Sequence, residues 1–340
     1  MARYLRCLLE ALGEAGPDDE YEVLVAGSGD PEPFRAPNVR LVRRRIPGRV
    51  VFGAAAVTGR PRLDRMAGGC DVAWVPAPAP LAVSRTVPFA LTLHDLSFEH
   101  PSDFSRYDRV WHRLARPGRL VRRAARVICV SAAVRDAALE RWDLDPARLQ
   151  VVLSGPGRPA GAAGALPPGL PERFVLAVGA LEPRKLPGVL AEAHRRAVSQ
   201  GLAAGLVFAG EGPLGPELER AGAVVLGRVP DEVLEALYGR SLALVCASRD
   251  EGFGFTPVEA LARGTPAIVA DLPVFGETLG EGALRVRAGD AGALADALLR
   301  LEREPGLRKR LVAAGGEAVA RLSWERAARE TRAALAEAAS

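Results

Sequence analysis

Apolar positions recur along this chain with two periods, one helical and one strand-like, and their alternation divides it into halves. Leu5, Leu8, Leu9 and Leu12 fall three or four apart, which predicts a first helix over residues 4–12. Short apolar runs at 21–26, 39–42, 71–75, 89–93, 126–130 and 149–153 read as strands, with helical patterns between 93 and 126 and from Ser131 to Trp142. Residues 155–170 are then almost wholly Gly, Pro and Ala, which reads as a linker. Beyond it the pattern restarts. Strands at 174–178, 206–209, 224–226, 242–247 and 267–270 alternate with helices at 186–199, 216–221, 231–240 and 257–263, and two more helices near 291–304 and 324–338 close the chain. This alternation predicts two doubly wound α/β domains: residues 1–155, a linker at 156–171, a second domain at 172–322, and a C-terminal helix at 323–340 open to packing back on the first domain. A length of 340 residues agrees with two domains.

The segment carrying most chemistry follows the apolar run at 242–247. Glu251 and Glu259 bracket Gly252, Phe253, Gly254, Phe255, Thr256 and Pro257. A strand, a glycine-bearing turn and a helix start offer backbone N–H groups to an anion, and a carboxylate accepts hydrogen bonds from paired hydroxyls. The same residues have a purely structural reading. Thr256 as N-cap, Pro257 at the first helical position and Glu259 as the reciprocal partner make a capping box, and Glu251 is then a solvated loop acid. The two glycines favour a ligand, since they clear side chains where one would approach.

Composition narrows the class. Only two lysines, Lys185 and Lys309, stand among 45 basic residues, the rest being arginine. A lysine retained in so arginine-rich a chain invites a functional reading at Lys185, which follows a strand and the tight turn Glu182-Pro183-Arg184. Lys309 sits in a surface-like helix between Arg308 and Arg310. Four scattered cysteines (Cys7, Cys70, Cys129, Cys246) form no metal or disulfide pattern and suit a reducing compartment. No run is long and apolar enough to span a bilayer, and no secretory signal is evident, so a cytoplasmic location is expected.

The run Ser248 to Ala260 resembles the E-x7-E signature of family-4 retaining glycosyltransferases. Supporting stations are Gly264-Thr265-Pro266-Ala267, Val178-Gly179-Ala180-Leu181-Glu182-Pro183-Arg184-Lys185, Gly227-Arg228-Val229-Pro230-Asp231 and Leu322-Ser323-Trp324. Leu93-His94-Asp95-Leu96 and Val127 to Ser131 match in the first half. The resemblance covers nearly the whole chain. It implies a GT-B fold, two Rossmann-like domains facing a cleft, with a hexose moved from a GDP- or UDP-linked donor to a glycan or lipid-linked acceptor. It implies no metal and no cofactor. Arg184 and Lys185 would neutralise the leaving diphosphate, with Ala180 standing where many members place an arginine. Glu259 would bind the donor ribose, and Glu251 with the Gly252-Phe253-Gly254 backbone would face the donor sugar and phosphates. His94 would sit near the reacting sugar; read as structure alone, it is a strand-end histidine bonded to Asp95. Family members begin with a strand and a Gly-rich turn, whereas this chain starts inside the equivalent of the following helix, so the first domain is expected to lack its first strand.

Other signals are weaker. Gly27-Ser28-Gly29 is an incomplete dinucleotide fingerprint, and Asp143-Leu144-Asp145 before Pro146 reads as turn and capping chemistry. Residues 106–126 carry eight arginines and one aspartate, with Arg106, Arg109, Arg113 and Arg116 spaced along one helical face. That stretch is either a solvated basic face or a peripheral contact with the inner face of a membrane or an acidic acceptor. Few aromatics and no binding motif argue against nucleic acid. The alternatives to a transferase are a nucleotide-sugar epimerase or hydrolase of the same fold, and an impaired sugar-nucleotide-binding protein.

Overall fold

The structure, a computed structural model, describes residues 2–29, 31–100, 104, 106–157 and 163–340. The chain divides into two compact units, Met1–Gly155 with Ser323–Ser340, and Pro156–Leu322. Residues 158–162 of the expected linker lie outside the described residues, as does the side chain of Arg106.

The first unit contains, in order, α1 (Ala2–Ala15), β1 (Tyr21–Ala26), β2 (Val39–Arg44), α2 (Gly48–Thr58), α3 (Leu63–Ala67), β3 (Ala73–Val75), β4 (Phe89–Leu93), α4 (Arg106–Ala115), α5 (Pro117–Arg123), β5 (Arg126–Cys129), α6 (Ala132–Arg141) and β6 (Leu149–Val151). All its strand pairs are parallel, but they form two sheets, β1-β2 and β3-β4-β5-β6, where one was expected. No described strand pairs with the second edge of β1 or of β3. Ser131 caps α6 by accepting from the Val134 N–H, as its position predicts. Asp145 accepts from the Ala147 N–H, so the Asp-Leu-Asp run is capping chemistry. The helical face expected to run from Arg106 through Arg116 stops short. Arg116 takes φ 48° and turns the chain between α4 and α5, so it leaves the α4 face.

The second unit contains β7 (Phe174–Val178), α7 (Pro187–Ser199), β8 (Gly205–Ala209), α8 (Gly215–Arg220), β9 (Val224–Val225), α9 (Asp231–Arg240), β10 (Ala243–Cys246), α10 (Phe255–Ala262), β11 (Ala267–Ala270), α11 (Pro273–Leu279), β12 (Ala283–Val286), α12 (Ala291–Arg303) and α13 (Leu307–Val319). The last helix, α14 (Trp324–Ala339), belongs to the first unit. The second unit's sheet is wholly parallel in the order β12-β11-β10-β7-β8-β9. A parallel sheet is covered on both faces, so its strands are apolar on both. Val175, Phe208, Ala243 and Val245 pack into one core with α7 and α12. Their neighbours Phe174, Leu176, Val207 and Leu244 pack into another with Leu234, Leu237 and Tyr238 of α9.

This strand order positions the site. The chain runs outward from β7 through β8 to β9, then returns to β10 on the other side of β7 and runs outward again to β12. Between β7 and β10 the loops leave the sheet in opposite senses and open a crevice at the strands' carboxyl ends, where doubly wound sheets bind ligands. Lys185 follows β7, and Glu251 follows β10.

Candidate active site

Ala177 to Leu181, Lys185, Val245 to Ser248 and Glu251 line a recess at this crevice. The loop after β7 turns through Gly179 (φ 132°) into a 3₁₀ turn at Pro183–Lys185. The loop after β10 lies beside it, tied by the Arg249 N–H donating to the Arg184 carbonyl at 2.9 Å. Across this tie the Lys185 ammonium bonds the Glu251 Oε1. The Ser248 hydroxyl donates to the same oxygen at 2.8 Å, and the Cys246 thiol lies 3.5 Å from it. Burial raises the pKa of Glu251, but the Lys185 charge and the hydrogen bonds from Lys185 and Ser248 outweigh it, and the net shift is downward. Glu251 is therefore ionised, and the pair is neutral overall. Burial pushes the Cys246 thiol up to about 12, so it stays protonated. Arg184 donates through its Nη1 to the Asp250 carbonyl at 3.4 Å, while its Nε is buried with no hydrogen-bond partner among the described residues. Such a donor is costly to leave unpaired, and its natural complement is an anion.

Glu259 is placed differently from the capping-box reading. Helix α10 begins at Phe255, two residues earlier than expected, because Gly254 (φ 80°) turns the chain as N-cap and no side chain caps the end. Glu259 is thus one turn inside the helix and only 3% exposed. Its Oε2 accepts from the Tyr238 hydroxyl at 2.8 Å, and its backbone carbonyl accepts from Arg263 at 3.0 Å. Arg263 is ion-paired with Glu235 and lies over the Tyr238 ring, 5.7 Å from its centroid. Gly157 (φ 87°) lies against the carboxylate, where a Cβ would come within 2.8 Å of Oε1. The glycine at 254 is also required by packing. A Cβ there would stand 2.4 Å from the ring of Phe275, which is fully buried. Gly252 and Phe253 are buried beside it.

Tyr238, which holds the Glu259 carboxylate, is a residue that sequence reasoning passed over. It is fully buried and stands 21 residues from Glu259, so its only sequence signal is an aromatic with a hydroxyl on a core-facing helix position. Tyr238→Phe is expected to raise the Michaelis constant for a nucleotide donor roughly 10-fold while changing kcat less than about 3-fold, the cost of one hydrogen bond to a charged group. Initial-rate kinetics with the donor varied check this.

His94, in the first unit, directly follows β4. It is bonded not to Asp95 but to the Pro76 carbonyl, through Nε2 at 2.9 Å. Asp95 is occupied by the Ser97 N–H and hydroxyl, at 3.0 and 2.6 Å. A carbonyl only accepts, so Nε2 carries the proton and Nδ1 offers a lone pair. The ring meets Tyr4 edge-on at 4.6 Å, and burial lowers its pKa from 6.5 to about 4. The unfolded chain takes up that proton near pH 6.5 and the folded one near 4. The stabilisation is complete above 6.5 and is lost as the pH falls through about 4, on the order of 3 kcal/mol in all. His94→Gln keeps a donor for Pro76 and should flatten the fall in melting temperature between pH 6.5 and 4.5.

Lys185 and Glu251 are thus brought into direct contact, with Arg184 bonded to the adjoining Asp250 carbonyl, whereas Glu259 is held by a separate network on α10 and α9. Among known proteins, the family model for glycosyl transferases group 1 matches residues 166–317, and that for glycosyltransferase family 4 matches residues 1–155. The chain is 40% identical over 152 residues to the phosphatidyl-myo-inositol mannosyltransferase of Mycobacterium leprae, covering 42% of this chain and 40% of that protein. It is 31% identical over 291 residues to the D-inositol 3-phosphate glycosyltransferase of Frankia alni, covering 75% of this chain and 70% of that protein. The solved structure of Anabaena Alr3699/HepE in complex with UDP and glucose shares its fold, with a TM-score of 0.66 at 19% identity over 99% of this chain and 96% of that one. Two Rossmann-like units with parallel sheets, together with these matches, make the chain a member of the family-4, group 1 glycosyltransferases with the GT-B fold.

Proposed function

We propose that this protein is a retaining hexosyltransferase of mannosyl or glucosyl type, which takes its sugar from a GDP- or UDP-linked donor and passes it to a glycan or lipid-linked acceptor without a metal ion. The observation that carries this reading is the crevice between β7 and β10, where Arg184, whose buried Nε has no partner among the described residues, adjoins the Lys185–Glu251 pair in the loop after β7. In a metal-free transfer the leaving diphosphate must be neutralised by fixed cations. Arg184 and Lys185 supply two. Before donor binding, Lys185 is neutralised by Glu251. When a diphosphate takes over the ammonium, Glu251 is released toward the sugar hydroxyls, so one event binds the leaving group and frees a sugar ligand. Glu259, oriented by Tyr238, accepts from the ribose hydroxyls, and the backbone of Gly252, Phe253 and Gly254 faces the phosphates. His94 offers the reacting sugar a neutral lone pair rather than a positive charge.

The relatives named as mannosyl- and glycosyltransferases and the fold shared with a UDP- and glucose-bound structure support a nucleotide-sugar donor. Calorimetric titration with GDP, UDP and ADP, followed by a hydrolysis assay of the matching sugar nucleotide with and without acceptor, tests the reading. Tight binding of one diphosphate with little turnover until acceptor is added is expected. Rapid turnover without acceptor would assign a hydrolase, and no nucleotide binding would overturn the donor site.

A further inference from the structure

Every hydrogen bond that the described residues give the Glu251 carboxylate falls on one of its two oxygens. Oε1 accepts from the Lys185 ammonium and from the Ser248 hydroxyl at 2.8 Å, and the Cys246 thiol stands 3.5 Å from it. Among the described residues Oε2 has no partner, although a carboxylate can accept about two bonds on each oxygen. Acceptors in largely buried positions are rarely left so. Glu251 lines the recess between β7 and β10 with its side chain 14% exposed, so the partner of Oε2 comes from whatever occupies that recess.

The donors on Oε1 differ in how firmly they are fixed. Lys185 has a long flexible stem, is 22% exposed and belongs to the neighbouring loop, so its ammonium can follow an incoming anion. Ser248 is 1% exposed, lies three residues before Glu251 in the same loop, and has only its Cβ for a stem. Its one hydroxyl proton goes to Oε1, so toward the Cys246 sulfur, 3.5 Å away, its oxygen can only accept. The charges facing Glu251 are those of Lys185 and Arg184, from the loop after β7, and β10 adds the protonated Cys246 thiol. Of the recess lining, α7 and β8 bring only Pro187, Leu190 and Phe208, which carry no charge. With the ammonium gone, burial of the carboxylate is opposed by the Ser248 hydroxyl and the weaker pull of Arg184.

We propose that Ser248 is a positioning residue, which holds Glu251 by Oε1 while Lys185 changes partners, so that the carboxylate stays charged and keeps Oε2 for a hydroxyl of the donor sugar. This role rests on the donor-site reading, in which the diphosphate draws Lys185 away from Glu251. A serine that only tied its own loop together would alter the melting temperature but not the protonation of Glu251.

Two measurements on the full chain test it, one of them without nucleotide. Lys185→Met imitates departure of the ammonium, and carboxyl-carbon NMR of the glutamate-labelled variant follows the titration of Glu251, assigned by its loss in Lys185→Met/Glu251→Gln. Adding Ser248→Ala should raise the midpoint of that titration by about one pH unit. With Lys185 in place, calorimetric titration with UDP or GDP in two buffers of different ionisation enthalpy counts the protons taken up on binding. The nucleotide's own proton exchange is common to wild type and variant and cancels between them. Ser248→Ala should take up roughly 0.3 proton more than wild type near pH 6.5, and Ser248→Ala/Glu251→Gln should lose that excess. The preference for the sugar nucleotide over its diphosphate should fall roughly 10-fold in Ser248→Ala, the loss of a hydrogen bond to a charged group. An unmoved midpoint, beside normal nucleotide binding by wild type, overturns the role of Ser248 alone. Excess uptake that survives Glu251→Gln overturns it as well. Absence of nucleotide binding by wild type overturns the donor site and this role with it.

Discussion

Lys185→Met is expected to lower turnover by roughly 10²–10³-fold, the loss typical of removing one preorganised group from a developing charge. The substitution keeps the length and apolar stem of lysine and deletes only the ammonium. It also strands Glu251, whose carboxylate sits in a largely buried position with Lys185 as its ion-pair partner. An unpaired buried carboxylate protonates or destabilises the fold, so the single variant alone confounds two effects. The double variant Lys185→Met/Glu251→Gln separates them. It removes both charges, should recover most of the melting temperature, and should recover none of the transfer rate. Lys309→Met, at an exposed helix position, is the control and should leave both unchanged. Recovery of activity in the double variant would make Lys185 a structural partner of Glu251 and nothing more.

Gly210→Ala is expected to destabilise the second unit by about 3 kcal/mol, lowering its melting temperature by roughly 6–12 °C. The reason is backbone, not side chain. A Cβ at 210 would stand 1.8 Å from the Gly179 carbonyl oxygen, and neither partner is a flexible tip that can swing aside. The carboxyl ends of β7 and β8 must separate to admit it, which breaks the Gly179 N–H bond to the Ala209 carbonyl. Gly179 begins the loop that delivers Arg184 and Lys185, so nucleotide binding should fall as well. Gly188→Ala is the matched control. It lies in the first turn of α7 with nothing within 4 Å of the added methyl, and alanine favours helix. Differential calorimetry of the pair, with and without nucleoside diphosphate, reads both effects.

What was legible in the chain was what is local. The strand–helix alternation of the second unit follows from apolar runs that a sheet covered on both faces demands, and Lys185 and Glu251 follow from their places after β7 and β10. The start of α10 was misread because Thr256-Pro257 satisfies the local rules for a helix opening. Gly254 starts the helix earlier through a left-handed turn packed on Phe275, a contact 21 residues away. The His94 bond to Pro76 and the Tyr238 bond to Glu259 span 18 and 21 residues and leave no periodic trace. β12 was missed because Ala283–Val286 is only four residues long and carries an exposed arginine, the mark of an edge strand. In the first unit, runs that promised one sheet form two, since strand pairing is decided by register and neighbours rather than by each run's own composition.

The first unit is assembled from both ends of the chain, and this bears on the order in which the units can be built during synthesis. α14 supplies Ala327, Ala328, Ala334 and Leu335 to the buried interior of that unit and packs on α1, β4 and β5. The second unit is contiguous and has all its residues once Leu322 has been made. During synthesis the second unit therefore has its whole sequence while the first still waits, its α1 and β4 surfaces uncovered, for α14. A chaperone that shields exposed apolar surface should accordingly be found on the nascent N-terminal unit until α14 has emerged.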